Sequence, residues 1–267
     1  MSDGFQRLLF SLAARSGIHG KLRMLSRGGN TRAELLRAAI RSTELRELSA
    51  LEREWVQNIE RLRSSLASSQ TVVKLAGYGA DPTVTVRTVG QICRSSAVSS
   101  VWGLFLFNLV RRFRPASCVE LGTSLAISAS FLGAACELNG HGHVTTLEGD
   151  PALASLAVQN FTTLGFSRLS VVQGPFEETL PVVLSRNAPV DFAFIDGNHD
   201  EEATKRYFNE VRIHLSPTGL IVFDDILWSK GVSRAWKDIS GNALPSLAMS
   251  FGRMGVYLEN GGLKIDV

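Results

Sequence analysis

The chain has 267 residues, of which 45% are hydrophobic and 20% charged, and its formal net charge is +3. These values are typical of a soluble globular protein, and the charge gives no argument for nucleic acid as a partner. Cys93, Cys118 and Cys136 are widely spaced among apolar or small residues, which indicates buried thiols in a reducing compartment and excludes a disulfide framework. No run approaches the roughly 18 apolar residues of a membrane span, so we expect a cytoplasmic protein.

Residues 1–72 predict a helical N-terminal extension, because apolar positions recur at helical spacing through residues 48–62. The many arginines of this segment indicate a solvated helix face rather than contact with a membrane or an anionic partner. Residues 77–82 then break the chain with glycines and a proline. Two further helices are predicted over residues 84–94 and 98–112.

From residue 116 onward strands and helices alternate. Short apolar runs predict strands over residues 117–121, 143–148, 169–173, 191–196 and 220–224, with helices between them. Such alternation implies right-handed crossovers and a parallel sheet. Two more strands, near 247–251 and 255–258, are predicted as a terminal antiparallel pair. The predicted fold is therefore α/β, with a Rossmann-like, doubly wound, mostly parallel seven-stranded sheet that follows the helical extension.

Acidic residues come directly at the end of two of these apolar strands. Asp196 is followed three residues later by His199, and the strand at 220–224 ends in Asp224 and Asp225. If the two strands are neighbours, the four side chains converge on the edge where open α/β sheets bind their ligands. Such a group is suited to a hard cation and to proton transfer.

A second pair of acids predicts a nucleoside site. Glu120 and Gly122 mark the turn after the first strand of the sheet, and Glu148 ends the second strand, where an acid can accept both hydroxyls of a ribose. The glycines that a pyrophosphate needs are missing, which disfavours a nicotinamide-dependent reductase. The expected ligand carries a ribose and a positive charge near Glu120, as S-adenosylmethionine does. The alternative is that Glu120 is a structural cap.

Three segments carry a resemblance to a known family: Glu120-Leu-Gly-Thr-Ser-Leu-Ala-Ile-Ser128, Leu147-Glu-Gly-Asp-Pro151 and Asp224-Asp-Ile-Leu-Trp-Ser-Lys-Gly-Val232. From about residue 72 to 260 the chain resembles class I S-adenosylmethionine-dependent methyltransferases of the metal-dependent type, which include catechol and caffeoyl-CoA O-methyltransferases. The likeness is strongest to a group of bacterial methyltransferases whose substrates are mostly unassigned. The resemblance implies a methyltransferase domain over residues 73–267.

The resemblance also implies roles for single residues. A divalent cation, Mg²⁺ or Ca²⁺, would be held by Asp196, Asp224 and Asp225, although Asp225 is an acid where the family usually has an amide. The cation would lower the pKa of a substrate hydroxyl. Phe176 would stack on the adenine, or else pack in the core. The residues implied to contact the cofactor are Glu120, Gly122, Ser128, Glu148, Phe176 and Asp196.

His199 and Asp196 are the candidate catalytic residues. His199 stands where the family places a lysine base, and an imidazole can take a hydroxyl proton near neutrality. It could instead be a metal ligand or the cap of the helix that begins near Glu201. Trp228 is a candidate wall of the acceptor site, whereas Trp236 is expected in the core.

The first hypothesis for function is an O-methyltransferase that uses S-adenosylmethionine and a divalent cation on a small hydroxylated acceptor. The alternatives are a metal-independent methyltransferase of the same fold, acting on nitrogen or another atom, and a non-catalytic nucleoside-binding protein that docks a partner. The segment 77–81 departs from the family pattern, so the sequence does not identify the acceptor. Relatives commonly pair through helices, which makes a homodimer an expectation.

Overall fold

The computed structural model describes residues 3–14, 22–23, 31–78, 85–243 and 246–260. Its N-terminal part contains the helices α1 (Asp3–Ala13), α2 (Thr31–Leu45) and α3 (Ala50–Ser68). Helix α3 begins with a capping box, in which the Ser49 hydroxyl accepts from the backbone N–H of Glu52 and the Glu52 carboxylate accepts from that of Ser49. The described part of this segment is helical, as predicted, and the domain boundary at residue 72 stays a prediction.

A small antiparallel hairpin follows, formed by β1 (Val72–Leu75) and β2 (Thr85–Thr88). The helix predicted from residue 84 is wrong for its first residues, because the β-branched residues of β2 favour a strand. Helix α4 (Val89–Ser96) begins only after Thr88, whose hydroxyl caps it together with Gln91. The predicted chain break at residues 77–82 lies largely outside the described residues.

Helix α5 (Ser100–Phe113) precedes the main sheet, as predicted, and residues 101–110 are all buried. The strands of the sheet are β3 (Ser117–Leu121), β4 (His143–Glu148), β5 (Leu169–Gln173), β6 (Val190–Ile195), β7 (Leu215–Phe223), β8 (Leu247–Phe251) and β9 (Met254–Leu258). The connecting helices are α6 (Ile127–Asn139), α7 (Pro151–Leu164), α8 (Phe176–Asn187), α9 (Glu201–Arg212) and α10 (Lys230–Gly241).

The strand order is β5–β4–β3–β6–β7–β9–β8, in which β3 to β7 run parallel and β9 is antiparallel to both of its neighbours. This arrangement confirms the predicted doubly wound sheet with a terminal antiparallel pair. Strand order reverses between β3 and β6, whose last residues, Leu121 and Ile195, are paired in register. Ile195 is in turn paired with Phe223 of β7. The residues that follow these three strands therefore share one edge of the sheet, at the switch point where such folds bind ligands.

The N-terminal helices share a core with the sheet. Phe10 of α1 packs edge-on against Trp102 of α5 and Phe251 of β8, with ring centroids 4.9 and 4.8 Å apart. Cys93, Cys118 and Cys136 are free and buried, as predicted. Among the described residues no single helix is long and apolar enough to cross a membrane, while α4 and α5, bent by 67° at their break, reach that length and composition only as a pair.

Candidate active site

A cavity of about 760 Å³ opens at the carboxyl edge of the sheet, a volume within the usual range for a small-molecule site. Its walls come from the β1–β2 hairpin, from α4, and from the loops that follow β3, β4, β5, β6 and β7. Of the residues that the sequence analysis assigned to the cofactor, those lining this cavity are Gly122, Ser128, Glu148, Phe176 and Asp196.

The turn after β3 forms one end of the cavity. Gly122 has φ +102°, a conformation that favours glycine, and the backbone N–H groups of Gly122 and Thr123 both donate to the carbonyl of Leu147. Ser124 and Ala126 also have positive φ, at 47° and 67°. Such a concentration of sparsely populated backbone conformations is typical of a functional turn.

Glu148 lies at the end of β4 against this turn. One carboxylate oxygen accepts from the backbone N–H of Ser124 at 2.7 Å, and the other accepts from that of Asp150 at 2.9 Å. Burial raises the pKa of Glu148, although these backbone N–H groups oppose the shift. The bonds fix the carboxylate where it faces the cavity, and its remaining lone pairs suit the two hydroxyls of a ribose.

Glu120 lies beneath the cavity and does not line it. Its side chain is fully buried, and its Oε2 accepts from the Thr146 hydroxyl at 2.6 Å, which in turn lies 2.6 Å from the hydroxyl of Thr123. Its Oε1 has no hydrogen-bond partner among the described residues. Burial, and secondarily the nearby Glu148 carboxylate, raise the pKa of Glu120 to about 7. An unsatisfied buried carboxyl oxygen directly under the turn fits a ligand that brings a positive charge.

Phe176 opens α8 and contributes a ring to the cavity wall. It packs edge-on against Tyr207, with ring centroids 5.7 Å apart, and closely against Gly197, where an added Cβ would stand 2.5 Å from its Cε2. The ring is therefore fixed both by core packing and by the loop that follows β6. The ring also lines the cavity, and stacking on the adenine stays a prediction.

His199 lies in the loop after β6, beside Asp196 and Trp228. Its Nε2 is 3.7 Å from Asp196 Oδ1, and its ring centroid is 5.4 Å from that of Trp228. Burial lowers the pKa of His199, although Asp225 opposes the shift, so the imidazole is neutral at pH 7 and able to take a proton. The helix-cap alternative is wrong, because the side chain of Asp200 accepts from the first backbone N–H groups of α9.

The two tryptophans separate as expected. Trp228 is 62% exposed and lines the cavity beside His199. Trp236 is buried, with its ring against Phe223 and its indole N–H donating to Ser250. Trp228 therefore belongs to the mouth of the site and Trp236 to the core.

Arg253 also belongs to the site, although no pattern in the sequence indicated it. It lies in the turn between β8 and β9, and its guanidinium donates from Nε to Asp224 Oδ1 at 2.7 Å and from Nη2 to Asp224 Oδ2 at 2.9 Å. Nη2 is also 2.7 Å from Asp225 Oδ1. A single basic residue in a turn between two apolar strands is usually solvated, so only the strand pairing shows that it reaches the site.

Of the three predicted metal ligands, Asp224 is therefore not free to hold a divalent cation in the arrangement present. Both oxygens of Asp224 are engaged by Arg253, and the groups able to converge on an ion are instead Asp196, His199 and Asp225, with ligand atoms within 4.8 Å of one another. Asp225 shares its oxygen with Arg253. Burial and the carboxylates of Asp224 and Asp225 raise the pKa of Asp196 well above its ordinary value.

The strand order and the cavity at the switch point define a doubly wound, Rossmann-like α/β fold, with an acid at the end of β4 on the wall of the cavity. Within it, residues 119–226 match the family model described as a methyltransferase domain. Residues 119–226 thus carry a methyltransferase domain, and the chain shares its fold with S-adenosylmethionine-dependent methyltransferases, the fold that the resemblance implied. No curated protein matches the chain by sequence.

Several solved structures share the fold. The O-methyltransferase TomG from Streptomyces achromogenes, involved in tomaymycin synthesis and solved with SAM, is 22% identical over 62% of this chain and 82% of its own, with a TM-score of 0.55. The O-methyltransferase from Bacillus cereus in complex with SAH is 18% identical over 77% and 91%, with a TM-score of 0.54. Cofactor-bound Rv0187 from MTB is 22% identical over 83% and 96%, with a TM-score of 0.56.

Proposed function

We propose that this methyltransferase acts on a hydroxyl oxygen of a small-molecule acceptor. The observation that carries the proposal is the placement of a neutral, partly buried His199 beside Asp196 and Trp228, in the same cavity as the Glu148 turn. A hydroxyl needs a base to remove its proton as the methyl group arrives, and a neutral imidazole is such a base. The similarity to TomG and to the Bacillus cereus enzyme, both O-methyltransferases, supports the same chemistry.

The residues divide the cavity into two ends. At one end the Gly122 turn and Glu148 would hold the nucleoside, with the ring of Phe176 near the base. At the other end His199, Trp228 and Arg253 would surround the acceptor. S-adenosylmethionine supplies an activated methyl group: the acceptor oxygen forms the new C–O bond as the C–S bond breaks, and the hydroxyl proton passes to His199. Holding the oxygen in line with the methyl group accounts for much of the rate.

Mg²⁺ or Ca²⁺ stays a prediction from the sequence, and no step is assigned to it because Arg253 holds Asp224 and Asp225. A homodimer and a cytoplasmic location also stay predictions. No observation favours a nucleic acid partner.

Two measurements test the proposal. Calorimetric titration with S-adenosylhomocysteine should show saturable binding at one site per chain, and absence of binding would contradict the cofactor assignment. A panel of phenols, alcohols and amines incubated with radiolabelled S-adenosylmethionine should then give labelled ethers. Label on amines alone would favour the N-methyltransferase alternative, and cofactor binding with no labelled product from any class would favour the non-catalytic alternative.

A further inference from the structure

We propose that the guanidinium of Arg253 takes the place of a divalent cation in this site, so that an arginine rather than a metal ion holds the acceptor oxygen. The claim about the acceptor rests on the proposed function, whereas the claim about the metal does not.

The first support is the geometry of the ion pair. Nε and Nη2 of Arg253 meet the two oxygens of Asp224 as a bidentate fork, and Nη2 also reaches Asp225. The side chain of Asp224 is only 1% exposed, so no second cation can approach it from solvent while the fork is in place. The two adjacent carboxylates that the resemblance assigns to a metal therefore already share a positive charge.

The second support is that the backbone fixes Arg253 in this position. The carbonyl of Arg253 accepts from the backbone N–H of Ile226, the residue directly after Asp225, at 3.0 Å. Gly252 has φ +58° and lies so close to Trp102 that an added Cβ would stand 2.7 Å from the ring. The turn that carries Arg253 is thus anchored to the core on one side and to the loop after β7 on the other. These backbone contacts fix the position of Arg253 in the site, so it does not behave as a mobile surface side chain.

The third support is chemical. Arginine keeps its charge at every physiological pH and stabilises a developing oxyanion by charge and by hydrogen bonds. A metal ion acting as a Lewis acid would stabilise the same negative charge. Arg253 lines the cavity with His199 and Trp228, and its Nη1 donates to no acceptor among the residues that the structure describes. A free Nη1 offers one point of contact to an acceptor oxygen. The site therefore suits an acceptor with a single acidic hydroxyl, such as a phenol, and does not require two neighbouring oxygens that chelate a metal.

Titration with Mn²⁺, in the presence of S-adenosylhomocysteine, tests the replacement directly. The natural chain should bind no Mn²⁺ at submillimolar concentrations, by calorimetry and by the electron paramagnetic resonance of free Mn²⁺. The variant Arg253→Gln frees the carboxylates and should bind Mn²⁺ roughly tenfold more tightly or better. That gain should vanish in the double variant Arg253→Gln, Asp225→Ala, which removes a ligand oxygen. Arg234→Gln, which removes an exposed guanidinium paired with Glu201, is the matched control and should gain nothing.

Stoichiometric micromolar Mn²⁺ binding by the natural chain, lost in Asp225→Ala, would overturn the proposal without any variant of Arg253. Arg253→Gln leaves a buried carboxylate without its partner and is expected to be less stable than the natural chain. Because Mn²⁺ would bind the folded state of this variant, added Mn²⁺ should raise its melting temperature. Arg253→Lys keeps the charge but not the fork, and it should stay unresponsive to Mn²⁺ while methylation of a phenol falls. Failure of S-adenosylhomocysteine to bind in the absence of metal would contradict the proposed function and not the proposal about the metal. The two failures are distinguishable, because the Mn²⁺ titration can also be run without S-adenosylhomocysteine.

Discussion

Gly122 lies so close to Asp196 that a Cβ added to the glycine would stand 2.2 Å from the carbonyl oxygen of Asp196. The two residues directly follow neighbouring parallel strands, and the N–H of Asp196 donates to the carbonyl of Leu121, directly before the glycine. The turn after β3 and the acid after β6 are therefore in direct contact. A substitution that shifts one of them should therefore also shift the other.

The first prediction concerns Gly122→Ala. The new methyl group must displace backbone, so we expect a loss of about 1–3 kcal/mol in the free energy of unfolding from overpacking, in addition to about 1 kcal/mol from the positive φ. Gly140→Ala is the matched control, because Gly140 also has positive φ but open space around its Cβ position. Urea denaturation of both variants measures the difference. Equal losses would show that the contact with Asp196 has no energetic weight.

Glu120 should make stability depend on pH. Its pKa rises from an ordinary 4.5 to about 7 in the folded chain, so between these values the folded state binds more protons than the unfolded state. The free energy of unfolding should therefore fall as the pH rises through this window, by at most about 3 kcal/mol. Glu120→Gln should flatten the slope and the exposed Glu178→Gln should not, as measured by urea denaturation at several pH values. If the slope persists in Glu120→Gln, the pH dependence of stability arises from other groups.

Glu148→Gln should weaken cofactor binding. A charged acceptor of ribose hydroxyls is lost, which corresponds to about 1.5–3 kcal/mol and to roughly 10- to 100-fold in affinity for S-adenosylhomocysteine. Glu137→Gln is a matched control, since Glu137 also accepts from two backbone N–H groups, those of Ser167 and Arg168, away from the cavity. Both variants should lose similar stability, and calorimetry should find weaker binding only in Glu148→Gln. Unchanged affinity would remove Glu148 from the ribose site.

His199→Ala should reduce turnover by roughly 10²- to 10⁴-fold, because it removes the base, and should leave the affinity for S-adenosylhomocysteine unchanged. In the natural chain the pKa of His199 is lowered by burial, so kcat/KM should rise with pH at acidic values and be flat near neutrality. His143→Ala, on a sheet strand and bonded to Ser170, is the control and should retain turnover. An unchanged pH profile in His199→Ala would exclude His199 as the base.

Phe10→Ala should destabilise the whole chain. Its ring packs against Trp102, Phe105 and Phe251, and loss of a buried aromatic ring costs about 3–5 kcal/mol. Leu8→Ala, at a side chain that is 54% exposed, should change the free energy of unfolding by about 0.5 kcal/mol or less. One shifted cooperative transition is expected. A small early transition with the main one unmoved would show that the N-terminal helices unfold as a unit of their own.

Much of the fold could be predicted because its signals are local. The apolar runs that end at Leu121, Ile195 and Phe223 carry the character of buried strands in their own residues, and the helical segments between them imply a parallel sheet. The turn at Gly122 and the acids after the strands could be placed for the same reason. The β1–β2 hairpin was missed because its strands are four residues each and derive their stability from pairing with one another.

The contacts within the site were decided by tertiary structure. From the sequence, Asp196, Asp224 and Asp225 were expected to meet at one edge of the sheet if their strands were neighbours, and the resemblance implied Mg²⁺ or Ca²⁺ as their cation. In the structure, the cation that contacts Asp224 and Asp225 is a side chain of the protein itself. That cation is Arg253, which lies 29 residues after Asp224 and reaches it only because β9 pairs with β7 in antiparallel register. A buried carboxylate pairs with whichever positive charge the fold places close to it, and local sequence patterns do not predict which charge that is.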